Sequence, residues 1–421
     1  MDNIKTRNIN SIYIFIFISY FSATYLSGGI AVAFQNEQFN ATGLSNEFIG
    51  LISTTNGVVE IVTGLFILML GLSRCKISKI LLTLSPILIL SMSLFLSAVL
   101  VTSSVNSVIL FIVSAGIYGI YQMLTFAIQS IFIVSSTQDT LQCNELNQYL
   151  CAIGGTISSY LLLVIVFESI QTVNDWSIVI TQPWLIVGVI VQLLVIVPLC
   201  FIVEPLPIDS NKCLCKRQKD KITRQDTLIP MMISISDFIT SLAQGALIFT
   251  PLFFFSIGAS LASYLLYSLV QQIVQFICVW VIKALDFSDR MLVLAFVLVR
   301  ILSTFFLLAF ALLENNINLS YTLLGCVSTL YNISYPMEYA LIGIYNPITE
   351  INLWQVIQKI TYISYLVSGV IFGLLINPIG YKNMFLVGFG ISLVGNCVSL
   401  SLFSFDYRHM NLVEETEGLM H

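Results

Sequence analysis

Residues 291–313 read MLVLAFVLVRILSTFFLLAFALL, an unbroken apolar run with one charge, Arg300. About 20 such residues coiled as an α-helix cross the hydrocarbon core of a bilayer. The rest of the chain repeats the pattern. Hydrophobic residues make up 57% of the 421 positions and charged residues 9%, against roughly a quarter charged in soluble domains. With 17 Lys+Arg and 22 Asp+Glu, there is too little charge to cover a water-facing surface of this size. The net charge of -5 and the lack of a basic face exclude nucleic acid as a partner. The chain reads as an all-α polytopic membrane protein with the lipid bilayer as its main solvent.

Walking outward from that run gives twelve candidate spans, at about 10–34, 48–71, 79–101, 107–133, 147–169, 183–203, 229–255, 261–283, 291–313, 319–344, 355–377 and 384–404. The run from Ile12 to Phe34 exceeds the apolar core of a cleaved signal peptide and is the first span. Lys and Arg gather in the N-terminal tail, after span two (Arg74, Lys76, Lys79), after span six (Lys212 to Arg224) and after span eight (Lys283, Arg290). Lys359 at the start of span eleven and Arg408 in the C-terminal tail fall on the same side, and the opposite loops carry only Lys382. The positive-inside rule makes the cation-rich face cytoplasmic, with both termini there. The expected location is an integral, multi-pass position in the plasma membrane. Two sequons, Asn40-Ala41-Thr42 and Asn318-Leu319-Ser320, fall in loops of the other face. They are candidate glycosylation sites, while Asn332-Ile333-Ser334 lies inside span ten.

The largest polar stretch, 208–228, divides the chain into 1–207 and 229–405, each with six spans, followed by a tail at 406–421. Sliding one half on the other with an offset of about 212 residues gives a weak self-match, as internal repeats do in secondary transporters.

Polar residues at helical spacing mark a shared interior. Span four carries Tyr118, Gln122, Thr125 and Gln129; span ten carries Ser328, Asn332, Tyr335 and Tyr339. Span two has Asn56, Glu60 and Thr63, span eight Ser268, Gln272 and Gln275, span seven Asp237, Ser241 and Gln244, and span one Tyr20, Thr24 and Ser27. Spans three, six and twelve are almost wholly aliphatic or aromatic. Such polar residues also serve simply as interhelical hydrogen bonds worth about 1 kcal/mol or less, and glycines such as Gly116, Gly119, Gly154 and Gly155 as close-packing positions. Four charges inside spans, Glu60, Asp237, Arg300 and Glu338, cost on the order of 3 kcal/mol each at mid-membrane and need a partner or a cavity. Glu60 and Arg300 are the deepest; Asp237 and Glu338 lie nearer the cytoplasmic ends. Two uses are open to Arg300: pairing with one of the three carboxylates, or holding an anionic substrate.

Candidate substrate contacts are Gln122, Gln129, Asp237, Gln244, Gln272 and Asn332, and Tyr118, Tyr121 and Tyr335 suit a small polar organic solute better than a bare ion. Glu60 and Glu338 are candidates to exchange protons as a coupling ion, because low dielectric penalises a lone carboxylate. No ATP-binding Gly-x-x-x-x-Gly-Lys-Ser/Thr segment is present, so no cofactor is expected and a gradient would supply the energy. His409 and His421, the two histidines, are both in the C-terminal tail, and Cys213-Leu214-Cys215 lacks a second ligand pair. The sequence therefore offers neither a metal site nor a histidine base, and it reads as a carrier before a membrane-embedded enzyme. A transporter-like receptor or scaffold is the other alternative.

Twelve spans in two halves, both tails inside and a long central loop resemble the major facilitator superfamily. The loop after span two, Gly71-Leu72-Ser73-Arg74-Cys75-Lys76, keeps the basic character of that superfamily's Gly-x-x-x-Asp-Arg-x-Gly-Arg-Arg motif without its Asp. The loop after span eight retains Asp289-Arg290, with Asp286 before it. The resemblance implies two pseudo-symmetric six-helix bundles, with spans one, four, seven and ten lining a central cavity. It also implies spans three, six, nine and twelve against lipid, and a gating role for Arg74, Lys76, Asp286, Asp289 and Arg290.

Overall fold

The computed structural model describes residues 2–27, 29–70, 77–101, 103–134, 138–169, 176–200, 224–285, 289–313, 317–345 and 351–418. Ten helical stretches among them are long and apolar enough to cross a bilayer. One of these, Val356–Ser401, contains 46 residues and leaves helical geometry at Gly380, where φ is 75°. Thr361 before that point and Asn396 after it both reach the Asp237–Arg300 region, so the chain reverses at Gly380 and supplies spans eleven and twelve. Span ten, Ile317–Tyr345, is a helix of 29 residues whose polar content keeps it out of the ten. Among the described residues the architecture is all-α, with twelve spans.

Several spans are broken along their length. Span one is Asp2–Ser27 followed by Ile30–Asn40. Gly29 between them has φ 93°, a left-handed conformation natural to glycine. Span seven runs as Arg224–Gln244, then a 3-10 segment Gly245–Phe249, then Thr250–Ser256. Span eleven, expected as one helix from about 355, starts at Ile351 and breaks twice, giving Ile351–Tyr362, Ser364–Val367 and the helix beginning at Gly369. The other spans are Ser45–Leu70, Ile77–Leu100, Ser104–Val134, Gln138–Ser169, Ile178–Leu193 with Ile196–Leu199, Leu261–Leu285 and Asp289–Leu313.

We call the face bearing both termini the tail face and its opposite the far face. Near the far face one apolar core runs through both halves, from Phe34, Phe39 and Phe111 to Phe249, Phe253 and Phe385. Toward the tail face it divides. One core joins Phe15, Leu84, Leu88 and Ile128, and another joins Ile233, Val293, Phe296 and Leu341 to Ile153 of span five. A small fourth cluster, Ile67, Met123, Ala127 and Val356, ties spans two and four to span eleven.

Spans two and eleven meet across the seam backbone to backbone. Gly50, Gly57 and Gly64 recur every seven residues and present one helical edge. Gly50 lies against the carbonyl of Gly369. A Cβ on Gly57 would sit 2.6 Å from Cβ of Leu366, and one on Gly373 would sit 2.6 Å from the carbonyl oxygen of Asn46. Within this contact Thr54 fills the break in span eleven. Its hydroxyl donates to the carbonyls of Leu366 and Val367 (3.2 and 3.1 Å) and accepts from the Val370 N–H at 2.9 Å. At the far end the Asn46 amide donates to Asn377 Oδ1 at 3.1 Å, and Asn377 Nδ2 donates to Glu47 at 2.5 Å.

One interhelical hydrogen bond recurs in both halves. Ser91 donates to the Ser114 carbonyl at 3.0 Å between spans three and four. Ser303 donates to the Val327 carbonyl at 3.1 Å between spans nine and ten. Donors and acceptors are both displaced by the offset of about 212 residues that the sequence self-match shows.

Candidate functional site

Spans two, four and eleven build the first polar group. Lys359 Nζ lies 3.2 Å from Glu60 Oε1, with the carboxylate side chain 1% exposed and the lysine 18%. The ammonium also sits 5.8 Å from the Phe126 ring centroid and 5.9 Å from that of Tyr362, within cation–π range. One turn before Glu60, the Asn56 amide donates to Gln122 Oε1 at 3.0 Å. Span four comes this close because Gly119 has no side chain: a Cβ there would stand 2.6 Å from the Asn56 carbonyl oxygen. Tyr118 and Tyr121 stack beside it at 5.5 Å.

Lys359 enters this site as a correction. Placing the start of span eleven at about 355 makes it a surface cation, one turn inside a helix end. The helix begins at Ile351 instead, so Lys359 is two turns in and bonds across the seam to span two.

The second group lies within spans seven, nine, ten and eleven. Arg300 Nη2 donates to Asp237 Oδ1 and, at 3.2 Å, to Glu338 Oε2. All three side chains are 1% exposed or less. The guanidinium carbon is 5.1 Å from the Phe296 centroid and 5.2 Å from that of Tyr331, and the Tyr331 hydroxyl bonds Ser241. Of the two uses open to Arg300, the structure realises pairing. Asp237 and Glu338, nearer the cytoplasmic ends of their spans, are fully buried within the protein. Thr361 donates to the other Asp237 oxygen at 3.0 Å, Ser364 to the Phe238 carbonyl at 3.2 Å and Ser368 to the Leu242 carbonyl at 2.8 Å. This row of hydroxyls stitches span eleven to span seven. Span twelve, read as apolar, contributes too: Asn396 donates to the Arg300 carbonyl at 3.3 Å and to Thr304 at 2.6 Å, and Thr304 bonds Ser392.

The third group crosses the seam between spans five, eight and ten. Pro336 has no N–H, so the carbonyl four residues earlier, on Asn332, has no intrahelical donor. The Tyr149 hydroxyl of span five supplies one at 2.7 Å. Gln275 donates to the same hydroxyl oxygen at 2.8 Å and accepts from the Asn332 amide at 3.4 Å. The rings of Tyr149, Tyr335 and Tyr362 follow one another at centroid separations of 6.3 and 4.2 Å.

A cavity of about 420 Å³ opens between these groups and the far-face core, lined among others by Asn56, Tyr118, Gln122, Tyr264 and Tyr365. Of the sequence candidates, Gln122 lines this cavity and Asn332 joins the third group, while Gln129 is half-buried two turns further along span four. Gln244 is buried where span seven tightens into the 3-10 segment. Gln272 is half-buried, and its neighbour Gln275 is the residue that bonds Tyr149. Arg74, Lys76 and Asp286 lie outside the described residues, as do the side chains of Asp289 and Arg290 at the start of span nine. Among the described residues no group of His, Cys, Asp and Glu could hold a metal ion.

No family profile matches the chain, and no curated protein matches it. Solved structures do. The chain is similar to the human organic anion transporter MFSD10 at 13% identity, with 94% of this chain and 99% of that one covered and a TM-score of 0.62. It is similar to the nucleoside transporter NupG at 11% identity, with 93% and 100% covered and a TM-score of 0.63. The fucose:proton symporter FucP of E. coli matches at 15% identity, with 92% and 97% covered and a TM-score of 0.58. At these identities the likeness is one of fold, and that fold is the major facilitator one, with two pseudo-symmetric six-helix bundles in an integral, multi-pass membrane protein.

Proposed function

We propose that this protein is a secondary carrier that moves a small polar organic solute across its membrane by alternating access. The observation that carries this reading is the placement of polar chemistry across the seam between the halves. Glu60 with Lys359 bridges spans two and eleven, and Tyr149 with Gln275 and Asn332 bridges spans five, eight and ten. Groups that only held each bundle together would have no reason to span a contact that must open. Residues 1–207 and 229–405 act as the two moving halves, joined by 208–228, and the cation-rich tail face is cytoplasmic. The neighbours named above carry an organic anion, a nucleoside or fucose with a proton, which fits a polar organic substrate for this chain.

Gln122, Asn332, Gln129, Gln244 and Gln272 are the amides offered to a solute, while Asp237 acts through Arg300. The Arg300 group holds one cation against two carboxyls, so its charge count closes when the group carries one proton. Glu60 and Glu338 are then the carboxyls through which a proton gradient acts, and the loops at Arg74, Lys76, Asp286, Asp289 and Arg290 gate the tail face.

The test is uptake of radiolabelled amino acids, sugars, nucleosides and organic anions into proteoliposomes, with and without a proton gradient. Saturable uptake of one pool is the expected result. Folded protein that takes up none of them would overturn the carrier reading.

A further inference from the structure

Resting on the carrier reading, the surroundings of Lys359 narrow the class of solute. Among the described residues within the spans, Arg300, Asp237, Glu338 and Glu60 are 1% exposed or less, whereas Lys359 is 18% exposed. Glu60 of span two, Phe126 of span four and Tyr362 of its own span surround the ammonium, and Tyr20 of span one and Tyr365 are within electrostatic reach. Of this pair the cation is the more exposed partner and the carboxylate the hidden one, so a solute that reaches the pair meets the ammonium first. The neighbouring hydroxyls of Tyr20, Tyr362 and Tyr365 are further donors, and the rings of Phe126 and Tyr362 offer apolar faces. A cationic solute finds no accessible carboxylate here.

We infer that the solute is a small organic anion with one carboxylate, which takes the place of Glu60 on Lys359. The charge balance then fixes the stoichiometry. Lys359 and Glu60 together are neutral, and adding a carboxylate leaves one uncompensated negative charge beside the buried Glu60, which a low-dielectric surrounding penalises. Neutrality returns when Glu60 takes up one proton: its carboxylate oxygen gains the proton, and Lys359 keeps its ammonium and pairs with the solute. Release on the other side reverses both steps. One proton moves with each anion, and the cycle is electroneutral. The groups facing Glu60 are Lys359 and Tyr365 of span eleven and Tyr118 of span four, with Tyr20 of span one beside them. At this site the balance is between Glu60 and Lys359.

The test uses acids paired with amides of the same shape: lactate and lactamide, nicotinate and nicotinamide, 4-hydroxyphenylacetate and its amide. Binding is read as stabilisation of the full-length purified protein, and transport as uptake into proteoliposomes. At least one acid is expected to bind about tenfold more tightly than its amide, the worth of one charge-assisted hydrogen bond. Its uptake should quicken with an inward proton gradient and ignore an imposed membrane potential. Lys359→Gln should erase the acid preference. Because that variant strands Glu60, the neutral pair Glu60→Gln/Lys359→Gln serves beside it, expected to fold and to bind acid and amide alike. Acid preference retained in the folded double variant overturns the inference, as does uptake driven by potential and indifferent to pH. Saturable uptake of a neutral solute without any acid preference overturns it too, while leaving the carrier reading intact. Acid-selective binding with no uptake of any solute does the reverse: the anion site stands and the carrier reading falls.

Discussion

Arg300→Gln removes the one cation of the buried group and strands Asp237 and Glu338 in a space where all three side chains are 1% exposed or less. Breaking a buried pair by deleting one partner costs about 3–5 kcal/mol. The guanidinium also faces the rings of Phe296 and Tyr331, which adds to the loss. With an unfolding entropy of about 2.1 cal/mol/K per residue, a chain of 421 residues loses roughly 1 °C of Tm per kcal/mol, so the shift should be about 3–6 °C. Helices that persist after unfolding in detergent lower that entropy, which makes the figure a floor. The assay is thermal unfolding of purified protein followed by intrinsic fluorescence and size exclusion. Arg300→Lys should recover part of the loss, since a compact ammonium cannot fork between two carboxylates. The triple variant Asp237→Asn/Arg300→Gln/Glu338→Gln should recover most of it. A single variant as stable as the wild type would refute the charge reasoning. A triple variant as unstable as the single one would show that side-chain shape, and not charge, holds these four spans together.

Tyr149→Phe leaves the Asn332 carbonyl without a donor and should cost about 1–3 kcal/mol. Adding Pro336→Ala restores an N–H four residues on, so the double variant should regain that stability, measured by the same thermal assay. Gly57→Leu should force spans two and eleven apart near Leu366, read as a longer spin-label distance across the far face; an unchanged distance would mean that the helices already have slack there. Ser91→Ala and Ser303→Ala should each cost roughly 1 kcal/mol or less and add independently, because the two sites lie in different halves. A clearly non-additive sum would show that the repeated bonds are coupled.

Length and hydropathy made the spans legible because lipid leaves the chain few choices: a buried backbone must bond within its own helix. The polar stripes of spans two, four, seven and ten were legible for the same reason, and so was the need of Arg300 for a partner. Lys359 was hidden by its neighbourhood. Asn346, Pro347, Thr349 and Glu350 look like a loop end, and a span begun at about 355 puts the lysine one turn in, where it reads as reaching for water, while its partner Glu60 lies on a distant span. Span twelve concealed Ser392 and Asn396 among apolar residues, since a hydroxyl or amide that bonds a neighbouring helix leaves no periodic mark of its own. Tyr149 could have been found from Pro336, whose missing N–H announces a carbonyl in need of a donor, although not which donor. The heptad of Gly50, Gly57 and Gly64 was present in plain letters, but only the proximity of Gly369 and Gly373 shows it to be a contact.

That glycine edge also bears on speed. Where Gly50 meets Gly369 and Gly373 meets Asn46, backbone lies against backbone, so few side chains have to withdraw there before one helix rolls over the other. The friction of the joint then resides in a few fasteners, the Thr54 hydroxyl in the break of span eleven and the Asn46–Asn377–Glu47 chain at the rim. Each can be traded for water one bond at a time. In an alternating-access cycle the far face would be a hinge whose opening rate is set by hydration of these four polar residues, and whose range of travel is set by how little stands on the glycines between them.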